Sequence, residues 1–146
     1  MKYFTIAELC KSNTATAKSI DNTPTAEVES NLKELIENVL DPIRDRYAAP
    51  MLINCGYRCP KLNKAVGGVA TSQHLKGEAA DIANNSILQL KVLGMVKRNE
   101  LDFDQLIIEK PDSKGIGAWL HISYRKCNNR KQVLIFKNGK YAPYNI

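Results

Sequence analysis

The sequence predicts an α+β fold with an antiparallel sheet, and three observations lead to this class. Between residues 30 and 46, apolar side chains recur at offsets of three and four, which is the spacing of one helix face. From residue 103 onwards, apolar and polar residues alternate in short segments, as they do in half-buried strands. Helical patterns cluster early in the chain and strand patterns late, and this segregation favours an antiparallel sheet.

The first third of the chain is expected to be mainly helical. A short helix begins at about Thr5, and a polar stretch follows over residues 11–30. The main helix covers about residues 30–46, with Ser30 available as a cap. Pro42 lies near the end of this helix and is expected to break or kink it, because proline has no backbone N–H to donate.

The rest of the chain is expected to combine strands with two further helical segments. Strands are expected at residues 51–55, 80–82, 103–109, 118–124 and 132–136. The helical segments are expected at 62–66 and 87–98, and Asn138-Gly139 is typical of a tight turn. No internal repeat or low-complexity segment interrupts this order.

Length and composition are those of one ordinary globular domain. The chain has 146 residues, of which 44% are hydrophobic and 25% are charged. We expect a single domain over residues 1–146, in which residues 1–29 pack on the rest as an N-terminal extension, and we expect a monomer. No apolar run approaches the roughly 20 residues of a membrane span. The first residues also lack the apolar core and cleavage site of a secretory signal.

The net charge of +6 is concentrated in the last quarter of the chain. Residues 113–146 contain seven Lys or Arg and no Asp or Glu, whereas residues 1–112 carry 14 basic and 15 acidic side chains. A basic surface attracts polyanions, although a merely solvated face explains the same composition. No aromatic and glycine signature of nucleic-acid binding accompanies the charge, so we expect no nucleic-acid partner.

Both histidines of the chain lie in segments that suit a metal site. His74 is followed seven residues later by Asp81, and His121 lies in the alternating segment Trp119-Leu120-His121-Ile122-Ser123. Two imidazoles and a carboxylate form a three-ligand set for a zinc that keeps a fourth position open. His74 and Asp81 would be two turns apart on a helix and on opposite faces of a strand. The chain must therefore turn back between them, and Gly77 makes a tight return possible.

The four cysteines are not expected to bind this metal. Cys55 and Cys59 are separated by three residues and have no second pair at zinc-finger spacing, and Cys10 and Cys127 are isolated. A catalytic cysteine would also need a histidine as its base, and the metal site uses both. We expect one Zn²⁺ per chain, bound by His74, Asp81 and His121, and reduced thiols elsewhere.

These segments resemble a known family. Ser72-x-His74-x-x-Gly77-x-Ala79-x-Asp81 followed by Trp119-x-His121-x-Ser123 is similar to the zinc D-Ala-D-Ala carboxypeptidase family of peptidoglycan peptidases. That family includes VanX-type dipeptidases and phage endolysins, and it shares its fold with the hedgehog signalling domain. Segments 56–63, 66–68 and 103–109 also resemble one branch of it. The resemblance spans roughly residues 30–125 and implies a small antiparallel sheet with helices packed on one side.

The resemblance also implies roles for individual residues, with one departure. Better-known members place Glu or Asp three residues before the second histidine, where this chain has Ala118. In the branch that this chain resembles, a glutamate ending the preceding strand lies beside the metal. If strands 103–109 and 118–124 pair as a hairpin, Glu109 faces His121 and is the candidate general base. The alternative is that Glu109 is a solvated loop residue before Pro111.

Further candidates concern the substrate. A resembling arginine helps members of the family to bind substrate and polarise the scissile carbonyl, which makes Arg58 the second catalytic candidate. Its planar donor fork matches a developing oxyanion or a carboxylate. Gln73 is a weaker candidate for the same role, and Trp119 and Ser123 are weak candidates for substrate binding. Ser72 and Ser123 are alternatively placed to orient the metal ligands.

The function implied is zinc-dependent hydrolysis of a peptide bond in a peptidoglycan stem peptide, by a carboxypeptidase or an endopeptidase. Release of a terminal D-Ala, opening of a cross-link and cleavage between L-Ala and D-Glu all remain open. Ala118 keeps a second class open, an inactive zinc-stabilised module that binds cell wall or protein. Because no signal sequence is visible, the protein is expected to be cytoplasmic until lysis of a phage-infected or prophage-carrying cell, or to act at the bacterial cell wall by another route.

Overall fold

The computed structural model describes residues 1–146 and begins with two short helices. Helix α1 covers Ile6–Cys10 and is capped by the Thr5 side chain, which accepts a hydrogen bond from the amide of Glu8. Helix α2 covers Asn13–Ala17 and is capped in the same way by Ser12. This second helix lies in the stretch expected to be irregular. It forms because Ser12 satisfies its first turn and Ala15 is buried against the core.

The main helix is longer than expected and contains a π turn. It consists of α3 (Ala26–Leu35), a π turn over Ile36–Leu40, and α4 (Asp41–Tyr47). In the π turn the amide of Asp41 donates to the carbonyl oxygen of Ile36, five residues back. The helix therefore continues through Pro42 instead of breaking there, and it ends at Ala48 in the left-handed conformation.

Two further helices and a 3₁₀ turn complete the helical part. Helix α5 covers Pro60–Ala65, the 3₁₀ turn covers Gln73–Lys76, and α6 covers Ser86–Lys97. Leu88, Val92 and Met95 form the buried apolar face of α6, and Val96 is partly buried beside them. No helix of the protein is both long enough and apolar enough to cross a membrane.

Six strands form one sheet in the order β1-β2-β4-β3-β5-β6. The strands are β1 (Ile53–Cys55), β2 (Ala79–Ala83), β3 (Gln105–Glu109), β4 (Trp119–Ser123), β5 (Gln132–Lys137) and β6 (Lys140–Pro143). All neighbours are antiparallel except β3 and β5, which are parallel. The α+β class is confirmed, and the sheet departs from the expected antiparallel pattern at that one pair. Because β2 and β3 occupy both edges of β4, the chain adds β5 to the free edge of β3, where it runs in the same direction as β3.

The two faces of the sheet differ in what covers them. One face carries apolar residues that pack with the helices in a single hydrophobic core; they include Ala80, Ile82, Leu106, Ile108, Leu120 and Ile122. The helices therefore cover one side of the sheet, as expected. The other face carries Asp81 and His121 and opens into a cleft.

The N-terminal residues are attached to this core by side-chain and backbone contacts. Phe4 and Leu9 belong to the hydrophobic core. Both carboxylate oxygens of Asp41 accept hydrogen bonds from backbone amides, those of Lys2 and Tyr3. Asn22 connects the extension to the segment after β1, because its amide nitrogen donates to the carbonyl oxygens of Cys10 and Tyr57.

Candidate metal centre and active-site cleft

The 3₁₀ turn and Gly77 bring His74 back over Asp81. The Ser72 hydroxyl accepts a hydrogen bond from the amide of His74 and so caps the turn. Gly77 then adopts φ 71°, and a Cβ at this position would lie 2.8 Å from the carbonyl oxygen of Val28. As a result the chain reverses into β2, and Nε2 of His74 lies 3.3 Å from Oδ2 of Asp81.

The third candidate ligand is positioned by strand pairing. Asp81 and His121 are direct partners in the antiparallel pair β2–β4. Nδ1 of His121 lies 3.0 Å from Oδ1 of Asp81. The two imidazole rings are 5.1 Å apart between centroids and nearly perpendicular, at 76°. The Asp81 carboxylate thus lies between two ring nitrogens that come from distant parts of the chain.

The orientation of His74 tests whether these residues fit a metal ion. Its Nδ1 lies 2.6 Å from the carbonyl oxygen of Gly56, so this nitrogen carries the proton and donates it. Nε2 faces Asp81 and can give its lone pair to an ion once its proton is released, as in a histidine ligand whose other nitrogen is fixed by a backbone carbonyl. Ligand atoms about 2 Å from a tetrahedral zinc are roughly 3.3 Å apart. The observed separations of 3.0 and 3.3 Å, each to a different oxygen of Asp81, are close to that value, so the three residues have the donor chemistry for zinc and would close on one shared ion.

The electrostatics of the cluster also favour a cation. Burial acts to lower the pKa of His74, but the neighbouring Asp81 carboxylate and Cys55 raise it to about 10. Burial likewise acts to raise the pKa of Asp81, while the two imidazoles hold it well below its ordinary value. A positive charge beside Asp81 is therefore strongly favoured, and a proton supplies it when no metal is bound.

Cys55 offers an alternative third donor. Cys55, His74 and Asp81 have candidate donor atoms within 4.8 Å of one another. The Cys55 thiol, however, lies 3.8 Å from Nδ1 of His74, the nitrogen that donates to Gly56. One ion cannot use both the lone pair on Nε2 and a thiol located beside the opposite nitrogen of the ring. His121 is not a member of this cluster of three but lies 3.0 Å from Asp81, and it stays the predicted third ligand for an ion on the Nε2 side of His74.

Glu109 lies beside this cluster at the end of β3. In the β3–β4 hairpin, Ile107 pairs with His121 and Glu109 pairs with Trp119, so Glu109 and His121 share one face of the sheet. Its side chain is buried, with 8% of its surface exposed. Burial and the negative charge of Asp81 raise the pKa of Glu109 to about 7. Glu109 is thus a half-enclosed carboxyl in the cleft instead of a solvated loop residue.

The cleft has a volume of about 560 Å³ and brings together seven of the eight residues named from the sequence. They are Arg58, Gln73, His74, Asp81, Glu109, Trp119 and His121. Ser123 does not line it. That side chain is fully buried, and its hydroxyl accepts a hydrogen bond from the amide of Gln105 at the start of β3. Ser123 is therefore positioned to fix the β3–β4 register and not to contact a substrate.

Arg58 lies in the wall of the cleft, and some of its hydrogen-bond donors have no partner within the protein. Its Nη2 donates to the hydroxyl of Ser72 at 3.2 Å, and its buried Nε has no hydrogen-bond partner within the protein. Gly68 leaves room for this guanidinium, because a Cβ there would lie 3.2 Å from Nη2 of Arg58 and 2.1 Å from Oδ1 of Asn63. A positive side chain with an unsatisfied donor and no carboxylate partner is suited to bind an anionic group.

Gln73 and Trp119 have more constrained positions. The side-chain amide of Gln73 donates to the Asp104 carboxylate at 3.1 Å, so this side chain is held by Asp104 at the edge of the cleft. The ammonium of Lys110 lies 5.5 Å from the centre of the Trp119 ring. Trp119 therefore forms a wall of the cleft next to Glu109.

Several residues that line the cleft have no role predicted from the sequence. Gln105, Arg130, Leu134 and Tyr141 all contribute to it. Three of these come from the segment after β4, which joins the cleft through the parallel pairing of β5 with β3. The alternation along β5 indicates which of its residues share a face. It does not reveal that this face continues the one that carries His121.

Comparison with known proteins gives one family. A family model described as Peptidase M15 matches residues 2–113. The match contains Arg58, His74, Asp81 and Glu109 and ends before His121, so the position of that predicted ligand rests on the strand pairing alone. No curated protein matches the chain.

Proposed function

This chain belongs to the Peptidase M15 family of metallopeptidases, and on that premise we propose that it is a zinc-dependent peptidase that cleaves a peptide bond in the stem peptides of bacterial peptidoglycan. One observation carries the proposal. The Asp81 carboxylate lies between two imidazole nitrogens, at 3.0 and 3.3 Å, in an open cleft that also contains the buried carboxyl of Glu109. This combination provides a metal site and a separate proton acceptor.

The metal would be held by His74 through Nε2, by His121 through Nδ1 and by the Asp81 carboxylate. When bound, zinc acts as a Lewis acid that makes water more acidic and polarises a carbonyl group. The protein's contribution is to fix the three donors. Gly56 holds the His74 ring through Nδ1, and the β2–β4 register holds Asp81 against His121.

Glu109 is the group that moves protons in this scheme. It would accept a proton from the attacking water and then deliver it to the amine that leaves when the peptide bond breaks. A general base works best when its pKa lies near the working pH. Burial and the charge of Asp81 raise the pKa of Glu109 to about 7 in the metal-free protein, and a cation bound beside it would lower that pKa and favour the carboxylate that accepts a proton.

Arg58 would stabilise negative charge that develops on the substrate. Its guanidinium faces the cleft with a buried Nε that lacks a partner. A carbonyl oxygen that becomes an oxyanion, or a nearby substrate carboxylate, would accept hydrogen bonds from the terminal N–H groups of this guanidinium. The hydrogen bond from Arg58 to Ser72, which also caps the turn of His74, keeps the guanidinium next to the metal ligands.

The substrate assignment is supported by the sequence resemblance and by charge. The motifs around His74 and His121 are those of peptidoglycan peptidases. The excess of Lys and Arg after residue 113 also suits an anionic polymer, because stem peptides and wall polymers carry negative groups. We propose that the protein meets this substrate as a monomer at the cell wall, after lysis or export.

A second candidate function is an inactive zinc-stabilised binding module. The observation in its favour is Ala118, because a carboxylate is missing at the position where better-known relatives carry it. The presence of Glu109 on the same face as His121 favours the enzyme instead, since a module without turnover has no need of a buried carboxyl there.

Digestion of purified peptidoglycan tests the proposal directly. The zinc-loaded protein is incubated with peptidoglycan and, separately, with an all-L peptide, and soluble fragments are identified by mass spectrometry. We expect stem-peptide fragments from the wall, less of them at high salt because surface charges are screened over about 8–10 Å, and almost none with Glu109→Gln. Lys131→Ala and Lys140→Ala should matter only at low salt.

The other outcomes separate the alternatives. Cleavage of the all-L peptide with an intact wall would keep the peptidase and refute the peptidoglycan substrate. Binding to peptidoglycan without cleavage of either material, by wild type and Glu109→Gln alike, would establish the binding module.

A further inference from the structure

Asp104 is a fully buried carboxylate at one end of the cleft. It has 0% of its surface exposed. Its Oδ1 accepts hydrogen bonds from the backbone amide and Nε of Arg130, both at 3.0 Å, and its Oδ2 accepts one from Nη2 of Arg130 at 2.7 Å. The Arg130 guanidinium is therefore held in one orientation by a bidentate, buried contact.

Asp104 does not neutralise the positive charge around it. Nη2 of Arg125 lies 3.2 Å from the same carboxylate, so two guanidinium groups share one negative charge. These three side chains together carry a net charge of about +1, which the Glu78 carboxyl near Arg125 and Gln73 partly offsets. The Arg130 side chain is 49% exposed and lines the cleft, and its Nη1 makes no hydrogen bond within the protein. One N–H of Nη1 and the second N–H of Nη2 point side by side away from Asp104, so a parallel pair of donors with a fixed direction is available to a ligand.

This cluster is connected to the metal centre by Gln73 and β3. Gln73 directly precedes His74 and donates to Oδ2 of Asp104 at 3.1 Å. Asp104 lies three residues before Ile107, the strand partner of His121, which corresponds to roughly 10 Å of extended chain. A group bound at Arg130 would therefore be about two or three residues of extended peptide from the bond that is cleaved.

The opposite end of the cleft has the reverse character. It is formed by Glu109, Trp119 and Tyr141, which share one row across β4, β3 and the β5–β6 hairpin. A substrate carboxylate would be repelled by Glu109 there and attracted at the Arg130 end. The two ends of the cleft therefore carry opposite charges, and the predicted metal ligands lie between them.

We propose that Arg130, oriented by Asp104, binds a carboxylate of the peptide substrate and makes the enzyme selective for peptides that carry an acidic group on that side of the scissile bond. This inference rests on the proposed peptidase function. The planar fork of arginine presents parallel donors that match a carboxylate, which lysine cannot reproduce. Arg130 is a specificity-determining residue in this scheme and takes no part in proton transfer.

The test compares three versions of one stem-type peptide. The first has all its carboxylates free, the second is amidated at its C-terminus, and the third is amidated at its side-chain carboxyl. We expect the kcat/KM of wild type to be at least about tenfold higher for the free peptide than for one of the two amidated peptides, chiefly because the free peptide has the lower KM. The amide that is the poorer substrate identifies the carboxylate. Arg130→Gln and Arg130→Lys should lose the preference while they retain the wild-type rate on that amide.

Lys131→Gln is the matched control, because it removes one positive charge at the next residue, where the side chain is exposed and donates to Asn99 outside the cleft. It should keep the preference. A structural role of Arg130 would slow all three peptides equally, and this result, or an unchanged preference in Arg130→Gln, would overturn the inference.

Equilibrium binding of the same peptides, measured by calorimetry, separates this inference from the peptidase function. If wild type cleaves no peptide but binds the free form more tightly in an Arg130-dependent way, the carboxylate site stands and the peptidase function fails. If peptides are cleaved but neither rate nor binding depends on Arg130, the peptidase stands and the carboxylate site is refuted.

Discussion

The backbone amide of Ala118 donates a hydrogen bond to the carbonyl oxygen of Glu109, at 2.7 Å. Ala118 is the position where better-known relatives carry a catalytic carboxylate, and here its methyl group is exposed. The carboxyl that lies next to it in space is supplied by the neighbouring strand. The acidic residue that is missing at position 118 is therefore matched by a buried one, Glu109, on the neighbouring strand.

The metal ligands lead to the first prediction. We expect one zinc per chain in wild type, and loss of that zinc in His74→Ala and His121→Ala, because each change removes one of three donors. Metal analysis after gel filtration measures this, and circular dichroism confirms that the variants are folded. Cys55→Ser is the control and should retain zinc. Loss of zinc in Cys55→Ser, with retention in His121→Ala, would show that the thiol is the third ligand.

Glu109 gives the second prediction. Glu109→Gln should bind zinc normally but turn over substrate about 10²–10⁴-fold more slowly, because the amide cannot accept a proton. The measurement is kcat on a soluble stem-type peptide, with zinc content determined on the same sample. Asp112→Asn removes a carboxylate from the exposed loop that follows β3 and should leave kcat unchanged. Wild-type turnover by Glu109→Gln would place the general base elsewhere.

A third prediction concerns the titration of the same residue. Burial raises the pKa of Glu109 to about 7 in the metal-free protein, so its carboxyl should titrate near neutral pH when followed by ¹³C NMR. Zinc should lower this midpoint, because a nearby cation favours the carboxylate. Activity should accordingly fall as the pH drops below the pKa of the zinc-loaded form. A midpoint that does not respond to zinc would mean that Glu109 is remote from the ion.

The N-terminal extension gives a fourth prediction. Asn22 donates two hydrogen bonds, to the carbonyl oxygens of Cys10 and Tyr57, and accepts one from the amide of Cys59. Asn22→Ala leaves these backbone groups without partners, and we expect the free energy of unfolding to fall by about 2–4 kcal/mol. Urea denaturation measures it. The control is Asn31→Ala, which removes one exposed hydrogen bond to Lys76 and should cost less than about 1 kcal/mol. Equal effects would show that residues 1–29 pack only loosely.

The parts of the site that are close in sequence could be predicted. The seven-residue spacing of His74 and Asp81, with Gly77 between them, required a chain reversal, and the structure has one. The alternation around His121 likewise indicated a strand with Leu120 and Ile122 on the buried face. In both cases the geometry is set by a few neighbouring residues, so the sequence contains the necessary information.

Contacts between distant segments were not predictable in the same way. The parallel pairing of β3 with β5 depends on which sheet edge is still free when β5 forms, and no local pattern encodes this. Arg130 and Tyr141 enter the cleft as a consequence of that pairing. The burial of Ser123 was missed for a related reason, because its partner is the backbone of Gln105 on another strand.

The central position of β4 has a consequence for how the site can fail. Both acidic residues of the site are aligned against this one strand, Asp81 from β2 and Glu109 from β3. Inserting or deleting a single residue within β4 itself, between Trp119 and His121, would turn His121 or its neighbours to the other face of the sheet, because successive strand residues point to opposite faces. Such a change would abolish the ligand set and the base–metal alignment together. The segment Trp119–Ser123 is therefore a point where length, and not only composition, must be preserved.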